Sequence, residues 1–132
     1  MHELSIAAAI VEVANRHAAG RRVVRVEVQV GHLRQVVPDS LRFAFELVAQ
    51  GTALDGAELA IAQVPAVGRC RDCGARSALE RFPLCCARCG ALDMEVLAGE
   101  ELLVEALELE EEGEGEGEEL VTNERMGHGS HV

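Results

Sequence analysis

Residues 70–90 read CRDCGARSALERFPLCCARCG: two Cys-x-x-Cys-Gly knuckles, Cys70/Cys73 and Cys86/Cys89, with twelve residues between them. Four thiolates at this spacing suit a closed tetrahedral metal site, of the kind zinc takes to hold structure. Each knuckle runs into a glycine, Gly74 and Gly90, whose conformational freedom lets the backbone turn N–H groups toward the sulfurs. A bound zinc supplies on the order of 10 kcal/mol of folding free energy. That is large beside what a lobe of about thirty residues gathers from apolar burial alone. Cys85 offers a competing Cys-x3-Cys register, but only Cys86 gives two matching knuckles, each followed by glycine. The sulfur site is therefore assigned to Cys70, Cys73, Cys86 and Cys89. Iron in the same four sulfurs is its rival.

The flanks of this lobe place it in the chain. Leu59-Ala60-Ile61-Ala62-Gln63-Val64 before it and Leu102–Leu109 after it both read as strands. Further upstream, Arg22–Val30 alternates, with Val24, Val26, Val28 and Val30 on one face and Arg25, Glu27 and Gln29 on the other. Residues 3–19 predict an amphipathic helix with Leu4, Ala7, Ala8, Val11, Ala14 and Ala18 as its apolar stripe and Gly20 at its end. Pro38-Asp39-Ser40 starts a second helix, with proline where its missing N–H costs nothing. Leu41, Phe45 and Val48 form its buried stripe, and Gly51 follows it. The expected fold is α+β, with two helices packed on a small three-stranded sheet and a zinc-ribbon-like lobe inserted before the last strand. The expected domains are 1–65 plus 99–110 for the helices and sheet, and 66–98 for the lobe. Glu110–Glu119 is nearly all Glu and Gly, too polar to offset chain ordering. Residues 111–132 are therefore expected to form a disordered acidic tail.

Composition narrows the function. The chain has 132 residues, 48% of them hydrophobic, with three Phe and no Tyr or Trp, so its core must come from Val, Leu, Ile and Ala. No apolar run approaches the length of a membrane span, and no basic start precedes an apolar stretch as in a signal peptide. The expected location is the cytoplasm, where thiols stay reduced and Cys-x-x-Cys pairs bind metal. Five cysteines, an odd number, also argue against a disulfide framework. The net charge is −11, and residues 108–132 hold nine Glu against one Arg, leaving a net of only −3 in the rest. Neither part has the positive excess that phosphate binding needs, so nucleic acid is not an expected partner.

The chain begins Met1-His2-Glu3. An α-amine titrates near ~8 and can be freed for metal close to neutral pH. With the next amide and the His2 imidazole it forms a nitrogen field that suits Ni(II) or Cu(II). The amides of His2 and Glu3 are expected ahead of the first helical turn, without helical partners. Glu3 contributes through its amide or carboxylate, or only as a favourable charge at the helix start.

Taken together, Met1-His2-Glu3-Leu4-Ser5, Gly31-His32-Leu33, Val37-Pro38-Asp39-Ser40-Leu41-Arg42-Phe43-Ala44-Phe45-Glu46, Gly51-Thr52, Gly56-Ala57-Glu58-Leu59 and the two Cys-x-x-Cys knuckles resemble the HypA/HybF family. These are nickel metallochaperones of hydrogenase maturation, and the resemblance runs from residue 1 to about 109. It implies a nickel-binding domain split in sequence by a zinc domain. It implies nickel ligation by His2, with the Met1 amine and the Glu3 backbone beside it, and zinc ligation by Cys70, Cys73, Cys86 and Cys89. It also implies delivery of Ni(II) to the large subunit of [NiFe]-hydrogenase together with the GTPase HypB. In some members the same carrier serves urease. A homodimer is compatible with this reading, and no membrane is involved. Departures from the family are the extra Cys85, Ala87 where many members have proline, and the acidic extension after residue 110.

Other residues carry less. His32 follows a strand end and is read as a turn histidine without a ligand role, and His17 is given no chemistry. Ser5 lacks a His–Asp pair and is read as a helix-start residue bonding local N–H groups. His128 and His131, with Glu124, offer weak nickel collection in a tail that is otherwise solubilising. No Gly-x4-Gly-Lys loop is present, so energy from nucleotide hydrolysis must come from a partner. The expected function is carriage of metal without catalysis. The rivals are a zinc-ribbon module for protein interaction or nucleic acid, and an iron electron carrier of rubredoxin type.

Overall fold

The computed structural model describes residues 2–110 and 117–126. They divide into two units. The first takes the described residues up to Gln29, Val36–Ala62 and those from Leu102 on; the second takes Val30–Gln35 and Gln63–Glu101.

The first unit is built on helices α1 (His2–Ala18) and α2 (Pro38–Ala49), which pack on each other. Its strands belong to a four-stranded sheet ordered β2-β1-β6-β7. These strands are β1 (Val23–Gly31), β2 (Glu58–Val64), β6 (Leu102–Glu110) and β7 (Gly117–Arg125). α1 buries Ile6, Ala7, Ile10, Val11, Val13, Ala14 and Ala18, whereas Leu4 and Ala8 face outward. The helix is apolar nearly all round between Ile6 and Val11, so spacing alone does not choose the face. Ala7, Val11, Ala14 and Ala18 of the expected stripe are buried, and Ile6, Ile10 and Val13 widen the buried face beside them. The helix also stops one residue early: Ala19, with φ of 52°, and Gly20, with φ of 91°, turn left-handed. α2 starts with proline in its first turn and ends at Ala49, two residues before Gly51, whose φ is 79°. Its inner face is Leu41, Ala44, Phe45 and Ala49, with Val48 half-buried.

The sheet supplies the other wall of the core. Val26, Val28 and Val30 are buried as their alternation requires, while Val24 is exposed and Val23 turns inward. In β6, burial passes from Leu102, Val104 and Ala106 to Leu107 and Leu109, so it does not alternate evenly. Leu54, in the loop after α2, is fully buried. There Leu54 N–H donates to the Thr52 hydroxyl and Gly51 N–H to the Asp55 carboxylate.

β7 corrects the expectation of disorder for residues 117–125, and it adds a fourth strand to the three expected. It runs antiparallel along β6, with Leu103 opposite Arg125 and Glu110 opposite Gly117. The register shifts between Val104 and Ala106, where β7 carries one extra residue, and Asn123 there has φ of 46°. A strand whose partner supplies the hydrogen bonds needs little hydrophobicity of its own. Residues 111–116 and 127–132, including His128 and His131, lie outside the described residues.

The second unit carries a three-stranded sheet ordered β4-β3-β5, from β3 (Val67–Cys70), β4 (Arg76–Ala78) and β5 (Met94–Ala98). β3 is antiparallel to both neighbours. Between residues 63 and 101 the buried hydrophobic residues are Ala66, Cys70, Leu79 and Cys86. One leucine and an alanine make a thin core, so this lobe needs another source of order.

Candidate metal centres

The knuckles of the second unit share one local design. Cys70 N–H donates to the Ala75 carbonyl and Gly74 N–H back to the Cys70 carbonyl, at 2.9 Å each. Cys86 N–H donates to Ala91 at 2.8 Å and Gly90 N–H to Cys86 at 2.9 Å. Gly74 and Gly90 both have φ of 79°, a conformation that favours glycine. The turn aims amides at sulfur. Cys70 Sγ accepts from Asp72 N–H at 3.3 Å and Cys73 N–H at 3.4 Å. Cys86 Sγ accepts from Arg88 N–H and Cys89 N–H at the same two distances. Ser77, buried on β4, accepts from Ala87 N–H at 3.1 Å and ties the second knuckle to the sheet. No sequence signal marks that contact.

The result is a cluster of four sulfurs, Cys70, Cys73, Cys86 and Cys89, all within 4.8 Å of one another. Cys70 lies 3.6 Å from Cys89 and Cys73 3.7 Å from Cys86. A tetrahedral ion with Zn–S bonds of about 2.3 Å requires sulfur–sulfur edges of about 3.8 Å. The cluster fits such an ion. Cys85 is exposed and lies outside it. The N–H groups of Cys89 and Arg88 lower the Cys86 thiol to about 6. Cys89 is pushed up to about 12: the Ala91 N–H lowers it, but the Cys70 sulfur, burial and the sulfurs of Cys73 and Cys86 outweigh that pull. Sulfurs this close cannot all carry negative charge unless a cation sits among them.

The amino-terminal residues are gathered differently. His2 opens α1 with its side chain 51% exposed, and its Nε2 lies 3.5 Å from Glu3 Oε2. The His2 and Glu3 amides are thus in the first helical turn rather than ahead of it, where N–H groups still lack helical partners. Glu3 Oε2 accepts the Val37 N–H at 3.1 Å, and this bond holds its carboxyl below the usual value. The residue before Pro38 therefore anchors Glu3, which spacing within residues 1–5 gave no way to see. Ser5 Oγ donates to the His2 carbonyl at 3.0 Å instead of accepting an N–H. Met1 lies outside the described residues.

The remaining candidates are engaged elsewhere. His32 sits in a 3-10 turn (His32–Arg34), and its Nε2–H donates to the Glu80 carbonyl at 2.9 Å. Glu124, placed in the tail by sequence, is on β7 and accepts from Arg16 at 2.9 Å and His17 at 2.7 Å. Arg16 first and His17 second lower its carboxyl to about 2. His17, assigned no chemistry, is thus a strand anchor.

Residues 1–109 match the model of the family described as HypA, hydrogenase/urease nickel incorporation, metallochaperone. The chain belongs to the HypA family. A hydrogenase maturation factor HypA from Geotalea uraniireducens is 48% identical over 110 residues, which is 83% of this chain and 100% of that protein. One from Trichormus variabilis is 42% identical over 112 residues, 84% of this chain and 97% of the relative. The solution structure of the Ni metallochaperone HypA from Helicobacter pylori shares the fold, with a TM-score of 0.60 at 20% identity over 81% of this chain and 96% of that one. The HypA match ends within β6, so β7 lies beyond it.

Proposed function

We propose that this chain is a carrier of Ni(II) in the cytoplasm, not a catalyst. It binds the ion at its amino terminus and hands it to the large subunit of [NiFe]-hydrogenase with the GTPase HypB. The observation that carries this reading is the family match, which takes in Met1-His2-Glu3 as well as both knuckles. Nickel is cargo, held by the Met1 amine, the His2 amide and imidazole and the Glu3 amide. The exposure of the His2 ring favours hand-over by ligand exchange, since an incoming donor can reach the ion before the old one leaves. Glu3 acts through its backbone, because its carboxylate is bonded to Val37 N–H.

The four cysteines hold zinc as a fixture. Thiolate sulfur, tetrahedral spacing and amide donors to Cys70 and Cys86 all favour it. When bound, zinc neutralises the crowded sulfurs and closes a lobe with little apolar core of its own. Nickel binding competes with protons on amine, amide and imidazole, so affinity falls between pH 7.5 and 6.

The test is transfer. Labelled Ni(II) loaded on the native chain should pass to nickel-free hydrogenase large subunit in the presence of HypB. His2→Ala should pass little, and equal transfer by the two would refute the carrier reading.

A further inference from the structure

β7 lies outside the family match, yet it is bound by the rest of the first unit much as a peptide ligand would be. Its backbone pairs with β6 from Leu103 to Glu110. Glu124 meets Arg16 and His17, and Glu118 meets Arg21 at 2.8 Å. Arg21 also donates to the Glu110 carbonyl at 3.3 Å. Thr122 Oγ1 donates to the Val104 carbonyl. Met126 closes the run: it is 4% exposed, and its N–H donates to the Leu102 carbonyl at 2.7 Å.

The receiving surface has a definite chemistry. It is a strand edge flanked by cationic side chains at the end of α1 and just after it. It accepts an extended segment with two carboxylates six residues apart and an apolar residue two positions further on. Relatives spanning 110 residues match this chain over their whole length without β7. The HypA domain therefore does not require this strand.

We propose that the β6 edge flanked by Arg16, His17 and Arg21 is a docking site for an acidic extended segment of a partner protein, and that β7 is an in-chain occupant that keeps the site closed. The anchors are surface ion pairs, which are individually weak and screened by salt. A tethered strand nonetheless competes well, because its tether keeps it at an effective concentration on the order of millimolar. A partner strand gains access when β7 lifts, and main-chain pairing then supplies affinity while the arginines select for acid.

The experiment uses the full chain with a protease site inserted between Gly113 and Glu114, so that β7 can be cut from its tether without being deleted. The probe is a fluorescent peptide of residues 117–126, followed by anisotropy before and after cutting. Circular dichroism and a thermal melt of the cut chain report its fold. The cut chain should stay folded and bind the probe at least about tenfold more tightly than the uncut chain, which still holds its own strand. A probe with Glu118→Gln and Glu124→Gln should bind about tenfold more weakly, and added salt should weaken the native probe further. Glu118→Ala with Glu124→Ala in the uncut chain should open the site to the native probe, whereas Glu119→Ala should not. Loss of the cooperative melt on cutting would make β7 part of the core and overturn the proposal. So would a folded cut chain that ignores the probe, or one that binds native and Gln-substituted probes equally.

Discussion

Cys85 and Cys86 are chemically identical neighbours with opposite fates. Cys86 is buried in the sulfur cluster and accepts two backbone N–H groups, whereas Cys85 is exposed outside it. Cys85→Ser should leave zinc content near the native level in elemental analysis, and Cys86→Ser should lower it. At the amino terminus, two residues added before Met1 leave every side chain in place but move the amine away from His2. Nickel affinity of that variant, measured by competition with a chelator, should drop at least about tenfold if the amine is a ligand. Glu124 allows a test by pH. Its carboxyl lies at about 2 in the fold against an ordinary value of 4.5. A carboxyl lowered by folding contributes stability that is present above its unfolded value and is lost as pH falls through the folded one. The attachment of β7 should therefore weaken between about pH 4.5 and 2. Proton exchange of the β7 amides should show that loss in the native chain, and Glu124→Gln should flatten the profile.

The elements show where tertiary partners override local pattern. β7 was hidden by composition, since the Glu-Gly run before it dominates any window that includes Leu120-Val121-Thr122. Its existence depends on β6, a partner contributed by another stretch of chain. The α1 face was ambiguous because too many of its positions are apolar. By contrast, the sulfur cluster was legible in full: cysteine spacing and trailing glycines are local rules, and Gly74 and Gly90 obey them with one shared φ. A close backbone approach of the kind at Gly31 leaves no such local mark. An added Cβ there would meet the Gly99 carbonyl oxygen at 2.1 Å. Backbone cannot swing aside as a side chain can, so Gly31→Ala should destabilise by about 1–3 kcal/mol in denaturant unfolding.

At the scale of the whole molecule, the two proposed metal centres differ in donor atoms and in access. The sulfur cluster combines buried Cys70 and Cys86 with directed amides and lies in a lobe poor in apolar core. The amino-terminal group presents a half-exposed imidazole at the start of α1. Among the described residues no helix is long and apolar enough to cross a membrane. The account of function depends on these centres being independent, one retained and one exchanged. The direct measurement is nickel and zinc content of the native chain and of His2→Ala, dialysed side by side against the same low nickel concentration. The account predicts that His2→Ala loses nickel and keeps its zinc; nickel bound as tightly as by the native chain would contradict it.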